Sequence, residues 1–180
     1  AEGGAEESKE ATDETEAAAA SEGGASKPQH QEEVTLRTIF AGMTMGVDTM
    51  GNMFFRREGT DSDALPVYVG SHLDTQPTGG KYDGVLGVLG GLEIVRTLND
   101  LDIKTKHPIV VTNWSNEEGT RFAPAMLASG VFAGVHEQDW AYEREDAKGK
   151  TFGAELDRIG GRGDEVASSS TWEYDWPLAS

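Results

Sequence analysis

Apolar positions along the chain fall into short runs with two different periods. Val34, Leu36, Ile39 and Phe40 have mixed spacing and predict about two turns of helix over 34–41. Residues 47–57 predict a strand, interrupted at Met50-Gly51-Asn52, where Gly-Asn marks a turn or a bulge. Pro66 precedes Val67-Tyr68-Val69-Gly70, a β-rich run expected to be a buried strand. From Val85 the apolar residues recur at 85, 88, 89, 92 and 95, with Leu98 closing the pattern. Offsets of three and four predict an amphipathic helix, and its glycines at 87, 90 and 91 predict close packing on a neighbour. After Pro108 comes a second buried strand, Ile109 to Trp114. A short helix is predicted over 123–127, an irregular packed loop over 130–134, and a last helix on Phe152, Leu156 and Ile159 with Gly160-Gly161 beyond its end. Strand, long helix, strand is the βαβ order, so the expected class is α/β with a mostly parallel sheet.

Charge divides this picture in two. The chain has 180 residues, 32 Asp and Glu, 15 Lys and Arg, no Cys, and a formal net charge of -17. Residues 1–33 carry ten acidic and two basic side chains and contain no Leu, Ile, Phe, Tyr or Trp. Such a segment cannot bury enough apolar surface to offset its ordering entropy, so 1–33 is expected to be a disordered acidic tail. Residues 34–180 then form the candidate domain, which is only mildly acidic. The acidity argues against a nucleic-acid partner, which needs clustered Lys and Arg, and against an anionic membrane surface. No apolar run approaches a membrane span, and no signal or transit peptide is evident, so a cytoplasmic location is expected. The lack of Cys excludes disulfides, Cys-ligated metal sites and a thiol nucleophile.

Three clusters carry chemistry, each at a strand end or just before a helix: Gly70-Ser71-His72-Leu73-Asp74-Thr75, Gly79-Gly80-Lys81-Tyr82-Asp83-Gly84, and Ser115-Asn116-Glu117-Glu118-Gly119. Ligands of open α/β sheets bind at the carboxyl ends of the strands, so these loops can converge. One imidazole with several carboxylates and no thiolate suits zinc, manganese or cobalt. The same residues also fit a hydrogen-bonded His, an Asp-Gly turn and a solvated Glu pair, and spacing leaves both readings open.

The stretches Gly70–Gly84 and Asn116-Glu117-Glu118-Gly119-Thr120-Arg121-Phe122 resemble signatures of the zinc-dependent amidohydrolases that cleave N-carbamoyl groups. That family includes β-ureidopropionase, N-carbamoyl-L-amino-acid hydrolase and allantoate amidohydrolase, and is related to dinuclear zinc aminopeptidases and carboxypeptidases. Residues 47–54 and 126–134 resemble it as well, so the likeness runs from about Val47 to Ile159. It implies a C–N hydrolase acting on N-carbamoyl amino or β-amino acids, or on allantoate or another ureido acid, with two zinc ions per complete site. His72 then resembles a terminal zinc ligand, Asp83 the carboxylate bridging two metals, and Glu118 the terminal ligand of the second metal. Glu117 resembles the general base, and Asp74 the carboxylate that fixes the His72 tautomer. Lys81 and Arg121 flank these loops as candidates for a substrate carboxylate, with ion-paired structure as the alternative.

The pattern also departs from that family. Two further His ligands are expected beyond the glutamate pair, and the single histidine there, His136, precedes any expected ligand position. The family's lid and dimerisation domain is expected to be missing from these 180 residues. The 34–180 segment is therefore expected to be part of a catalytic domain, with a homodimer expected only for the complete protein. A truncated relative without catalysis is the alternative reading. Gly149-Lys150-Thr151, Asn113-Trp114-Ser115 and Arg162-Gly163-Asp164 match short motifs by chance.

Overall fold

The computed structural model of the protein describes residues 41–170. The acidic segment 1–33 and all but Ala41 of the helix predicted at 34–41 lie outside the described residues. Strands β1 (Thr44–Val47) and β2 (Met53–Arg57) form an antiparallel hairpin that pairs Val47 with Met53. The predicted break at Met50-Gly51-Asn52 is thus a full reversal, with Gly51 at φ 78° in the left-handed region that glycine enters freely. Strand β3 (Val67–His72) leads to helix α1 (Val85–Asp100) and on to β4 (Ile109–Trp114), which runs parallel to β3. Helices α2 (Leu127–Phe132), α3 (Gln138–Tyr142) and α4 (Phe152–Arg158) follow.

The sheet order is β1-β2-β4-β3. The α/β class and its βαβ unit stand, but the sheet of the described residues is mixed rather than mostly parallel. The tight turn after β1 forces β2 back on itself, and β2 then meets β4 antiparallel, pairing Phe55 with Val111. Strand β3 is outermost among the described residues and is only partly buried, with Val67 54% exposed, where a buried strand was expected.

Side-chain alternation divides the core. Phe55 and Val111 face α1, which buries Val88, Leu92 and Val95 against them together with Met43. A Cβ on Gly91 would lie 3.0 Å from Val111 Cγ1, and one on Gly87 2.7 Å from Ser71 Cβ, so these two glycines let helix and sheet close up. Gly90 faces open space, contrary to the expectation for all three. Across the sheet, Phe54 and Val110 pack with Tyr68, Trp114 and Phe132, and the Phe54 and Trp114 rings meet edge-to-face at 5.8 Å. A third cluster joins Met50, Phe122, Leu127, Val131, Phe152 and Leu156 under α2 to α4.

Helix α2 lies later than predicted. Leu127, Ala128 and Val131 share its buried face, and Met126 before it is left-handed at φ 56°, so 123–126 is loop and most of 130–134 is helix or its end. Helix α3, with Ala141 as its one buried residue, has no apolar period to announce it. Helix α4 falls where predicted, and Thr151 Oγ1 caps it by accepting from the Ala154 amide at 3.3 Å.

Candidate metal centre

His72 ends β3 beside Trp114 of β4, and its side chain is almost fully buried. Its Nδ1 lies 2.9 Å from the backbone oxygen of Asp74. A carbonyl only accepts, so Nδ1 carries a proton and Nε2 is the ring nitrogen left to face the site. Nε2 looks onto carboxylates: Glu117 Oε2 at 3.3 Å and Asp83 Oδ1 at 3.8 Å. One ligand atom each from His72, Asp83 and Glu118 lies within 4.8 Å of the others. Glu118 Oε1 is buried with no hydrogen-bond partner among the described residues. Burial, and next the negative charge of Asp83, raise the Glu118 carboxyl above its ordinary value. Acceptors converging without a donor are costly as they stand, and a shared cation satisfies them together. The residues therefore fit a metal ion held by nitrogen and oxygen.

Local backbone explains how three loops reach one point. Asp83 precedes α1 through Gly84, which sits at φ 70°. A Cβ on Gly84 would come within 2.5 Å of His72 Nδ1, so only glycine lets the helix start this close to the imidazole. The chain leaves β4 at Ser115 and turns through Asn116, whose φ of 50° is held by a 2.7 Å bond from Nδ2 to Phe122 O. Asp74 then grips the Glu pair: Oδ1 accepts from the Glu117 amide at 3.2 Å and Oδ2 from the Glu118 amide at 3.1 Å. This changes the expected part of Asp74. Its backbone oxygen, at 2.9 Å, is the nearer partner of the imidazole, while its carboxylate oxygen stands 3.5 Å away and is engaged by the two amides.

Arg121 does not serve as a free cation for substrate. Its guanidinium pairs with Asp146 at 2.8 Å and Glu155 at 2.9 Å, which ties α4 to the loop after the Glu pair. Lys81 is exposed. His136 lies away from the cluster, against Gly130 and 5.0 Å from the Trp140 ring.

Two residues outside the expected set also matter. Asp48 and Asn52 are completely buried in the β1–β2 turn. Asp48 accepts from the amides of Met50 and Asn52 at 2.9 Å and from Asn52 Nδ2 at 2.8 Å, and burial pushes its carboxyl up to about 6. The available sequence signal was an Asp and an Asn four apart in a turn flanked by apolar residues.

An α/β sheet with a histidine and carboxylates gathered at its strand ends defines a domain with a candidate cation site. The particular family follows from comparison: residues 68–165 match peptidase family M20/M25/M40, and the chain belongs to it. An N-carbamoyl-L-amino-acid amidohydrolase of Rhizobium meliloti is 76% identical over 125 residues, which are 69% of this chain and 30% of that protein. A ureidoglycolate hydrolase of Oryza sativa subsp. japonica is 42% identical over 96 residues, 53% of this chain and 20% of that protein. Among solved structures, a hydantoinase/carbamoylase family amidase from Burkholderia multivorans superposes with a TM-score of 0.75 at 55% identity, covering 77% of this chain and 34% of that one. The chain thus spans about a third or less of the length of the relatives it matches. No helix of the described residues is long and apolar enough to cross a membrane.

Proposed function

We propose that this chain forms the metal-binding part of a zinc-dependent amidohydrolase that removes the carbamoyl group from N-carbamoyl amino acids. The observation that carries this reading is the convergence of the buried His72 Nε2 with Asp83, Glu117 and Glu118, whose buried Oε1 has no hydrogen-bond partner among the described residues. His72, Asp83 and Glu118 would hold the ion, and Mn²⁺ or Co²⁺ suits the same donors. Bound there, the ion supplies Lewis acidity and lowers the pKa of water towards neutrality.

The chain's own residues account for the rest. Glu117 sits next to the ligands without being needed as one, so its Oε2 is the base that takes a proton from the attacking water. The same carboxyl returns that proton to the leaving nitrogen, and the released carbamate decays to carbon dioxide and ammonia. Asp74 fixes the backbone of both glutamates and the tautomer of His72, so base and ligands keep one relative position. The identity of the Rhizobium meliloti relative favours N-carbamoyl-L-amino acids as substrates. Ureidoglycolate, allantoate and other ureido acids are the second reading, favoured by the more distant plant relatives named for ureidoglycolate hydrolysis and allantoate deimination. The resemblance supports a cytoplasmic homodimer for the complete protein.

The test is ammonia release from a panel of N-carbamoyl-L-amino acids, ureidoglycolate and allantoate, with zinc content measured in parallel. Glu117→Gln should abolish turnover while zinc stays bound. Undiminished turnover in that variant would remove Glu117 as the base.

A further inference from the structure

The β1–β2 turn does more than reverse the chain. Asn52 has every polar atom of its side chain engaged: Nδ2 donates to Asp48 Oδ2 at 2.8 Å and to Ala128 O at 3.3 Å, and Oδ1 accepts from the Ser115 amide at 3.0 Å. Ser115 is the first residue beyond β4, and its hydroxyl donates to Gly51 O at 2.6 Å. The turn therefore holds the exit of β4 by two hydrogen bonds from two of its residues. From that point the chain has three residues to reach Glu118, and Asp74 grips the amides of the last two. Asn116, between the grips, is tied to Phe122 O. The segment 115–118 is held at each residue and has no slack.

We infer that Asn52, oriented by Asp48, is a positioning residue that sets where Glu117 and Glu118 stand relative to His72 and Asp83. The inference rests on the reading of Glu117 and Glu118 as the working carboxylates. The logic lies in donor and acceptor identity. An amide side chain can sit either way round, and a carboxylate can only accept. Asp48 thus compels Asn52 to turn its nitrogen inward and its oxygen towards Ser115. The amides of Met50 and Asn52 would be capped by any short acceptor at 48. A carboxylate with no exposure is costly there. What it supplies beyond capping is the fixed direction of Asn52, and that bond leaves the hairpin for the catalytic loop.

The test compares the parent, Asp48→Asn, and the exchange pair Asp48→Asn with Asn52→Asp, in the full-length gene product with Zn²⁺ and N-carbamoyl-L-alanine. In Asp48→Asn an amide nitrogen faces Asn52 Nδ2, so Asn52 turns over and meets the Ser115 N–H with a donor. Amide exchange in peptides covering 113–119 should speed up about tenfold or more. At unchanged far-UV circular dichroism, kcat should fall about 10- to 100-fold with KM within about threefold, and zinc affinity should weaken about tenfold. The exchange pair restores a donor opposite an acceptor and an acceptor for Ser115, so it should recover a large part of both losses. A turn that matters only for stability would change the melting temperature and leave kcat per folded molecule at the parent value. Parental kcat, zinc affinity and exchange in Asp48→Asn overturn the inference, as does an exchange pair that folds and recovers nothing. Should Asp48→Asn fail to fold, Ser115→Ala decides. It removes only the hydroxyl bond, and should show the same losses at smaller size; an unchanged kcat with unchanged exchange counts against the inference. Glu117→Gln is run alongside. If that variant keeps its turnover, the reading of the Glu pair fails and takes this inference with it. If only the turn variants are silent, the inference alone fails.

Discussion

Asp48 makes stability depend on pH in a direction unusual for a carboxylate. Burial raises its pKa from 3.8 to about 6 against the pull of hydrogen bonds from Asn52 and Met50. The folded protein therefore keeps a proton that the unfolded chain has already released. Stability from this group is fully present below pH 3.8 and is lost as pH rises through about 6. A shift of about two units corresponds to about 3 kcal/mol in total, of which about 1.4 kcal/mol falls between pH 5 and 8. That upper window is the usable one, because the sequence pI is near 4.5. Other carboxyls pull the opposite way: Arg158 and Arg121 hold Glu155 down to about 2, so its contribution is lost only on acidification. The comparison with Asp48→Asn removes them, because they are common to both proteins. Any constant offset from a turned Asn52 cancels as well. In urea unfolding followed by tryptophan fluorescence at pH 5, 6, 7 and 8, the variant should gain on the wild type by about 1.4 kcal/mol across the series. A difference that stays flat, or that grows in favour of the wild type, would refute the assignment of a buried, raised carboxyl at position 48.

Three further outcomes follow from the geometry. His72→Ala and Asp83→Ala should each lower bound zinc by elemental analysis, and unchanged content in both would remove the centre as described. Gly84→Ala places a methyl against the His72 ring at a positive φ, which costs about 1–2 kcal/mol in backbone alone. Its zinc affinity in a chelator competition should fall by tenfold or more, and parental affinity would show that the close approach is dispensable. Phe54→Ala removes a fully buried ring that packs on the partly buried Trp114 and Phe132, and should cost about 3–5 kcal/mol in denaturant unfolding. A cost near zero would mean that the cluster rearranges to fill the space.

Which features could be read from sequence depends on how local their causes are. Helix α1 and strand β4 were legible because their periods belong to single segments, as Val88, Leu92 and Val95 show. The break at Met50–Asn52 was legible as a break, yet its reversal is held by Asp48, which accepts from the Met50 and Asn52 amides and is completely buried, and no local pattern records that burial. Helix α2 was displaced in the reading because apolar residues run on both sides of Met126, and only the left-handed conformation there fixes the start. The grouping of His72, Asp83 and Glu118 was legible through residue type and order, and the fold brings the three together. Two parts of its support were not. Asp74 meets the imidazole through its backbone, which carries no side-chain signature. Arg121 finds Asp146 and Glu155 across separations of 25 and 34 residues, and that contact exists only after folding.

Asp74 is a single vertex from which two otherwise unrelated loops are hung. Its carbonyl holds the imidazole and its carboxylate holds the amides beside both glutamates, so His72 and Glu118 move together or not at all. The opening between nitrogen and oxygen donors is thus a fixed gauge rather than an adaptable cage. A gauge of this kind sorts ions by size. Were a cation held there, such a gauge would favour small divalent ions with short bonds and few partners over Ca²⁺, which needs six to eight oxygens at about 2.3–2.6 Å. The spacing of the proposed ligands would then be set at Asp74, which lies outside their group.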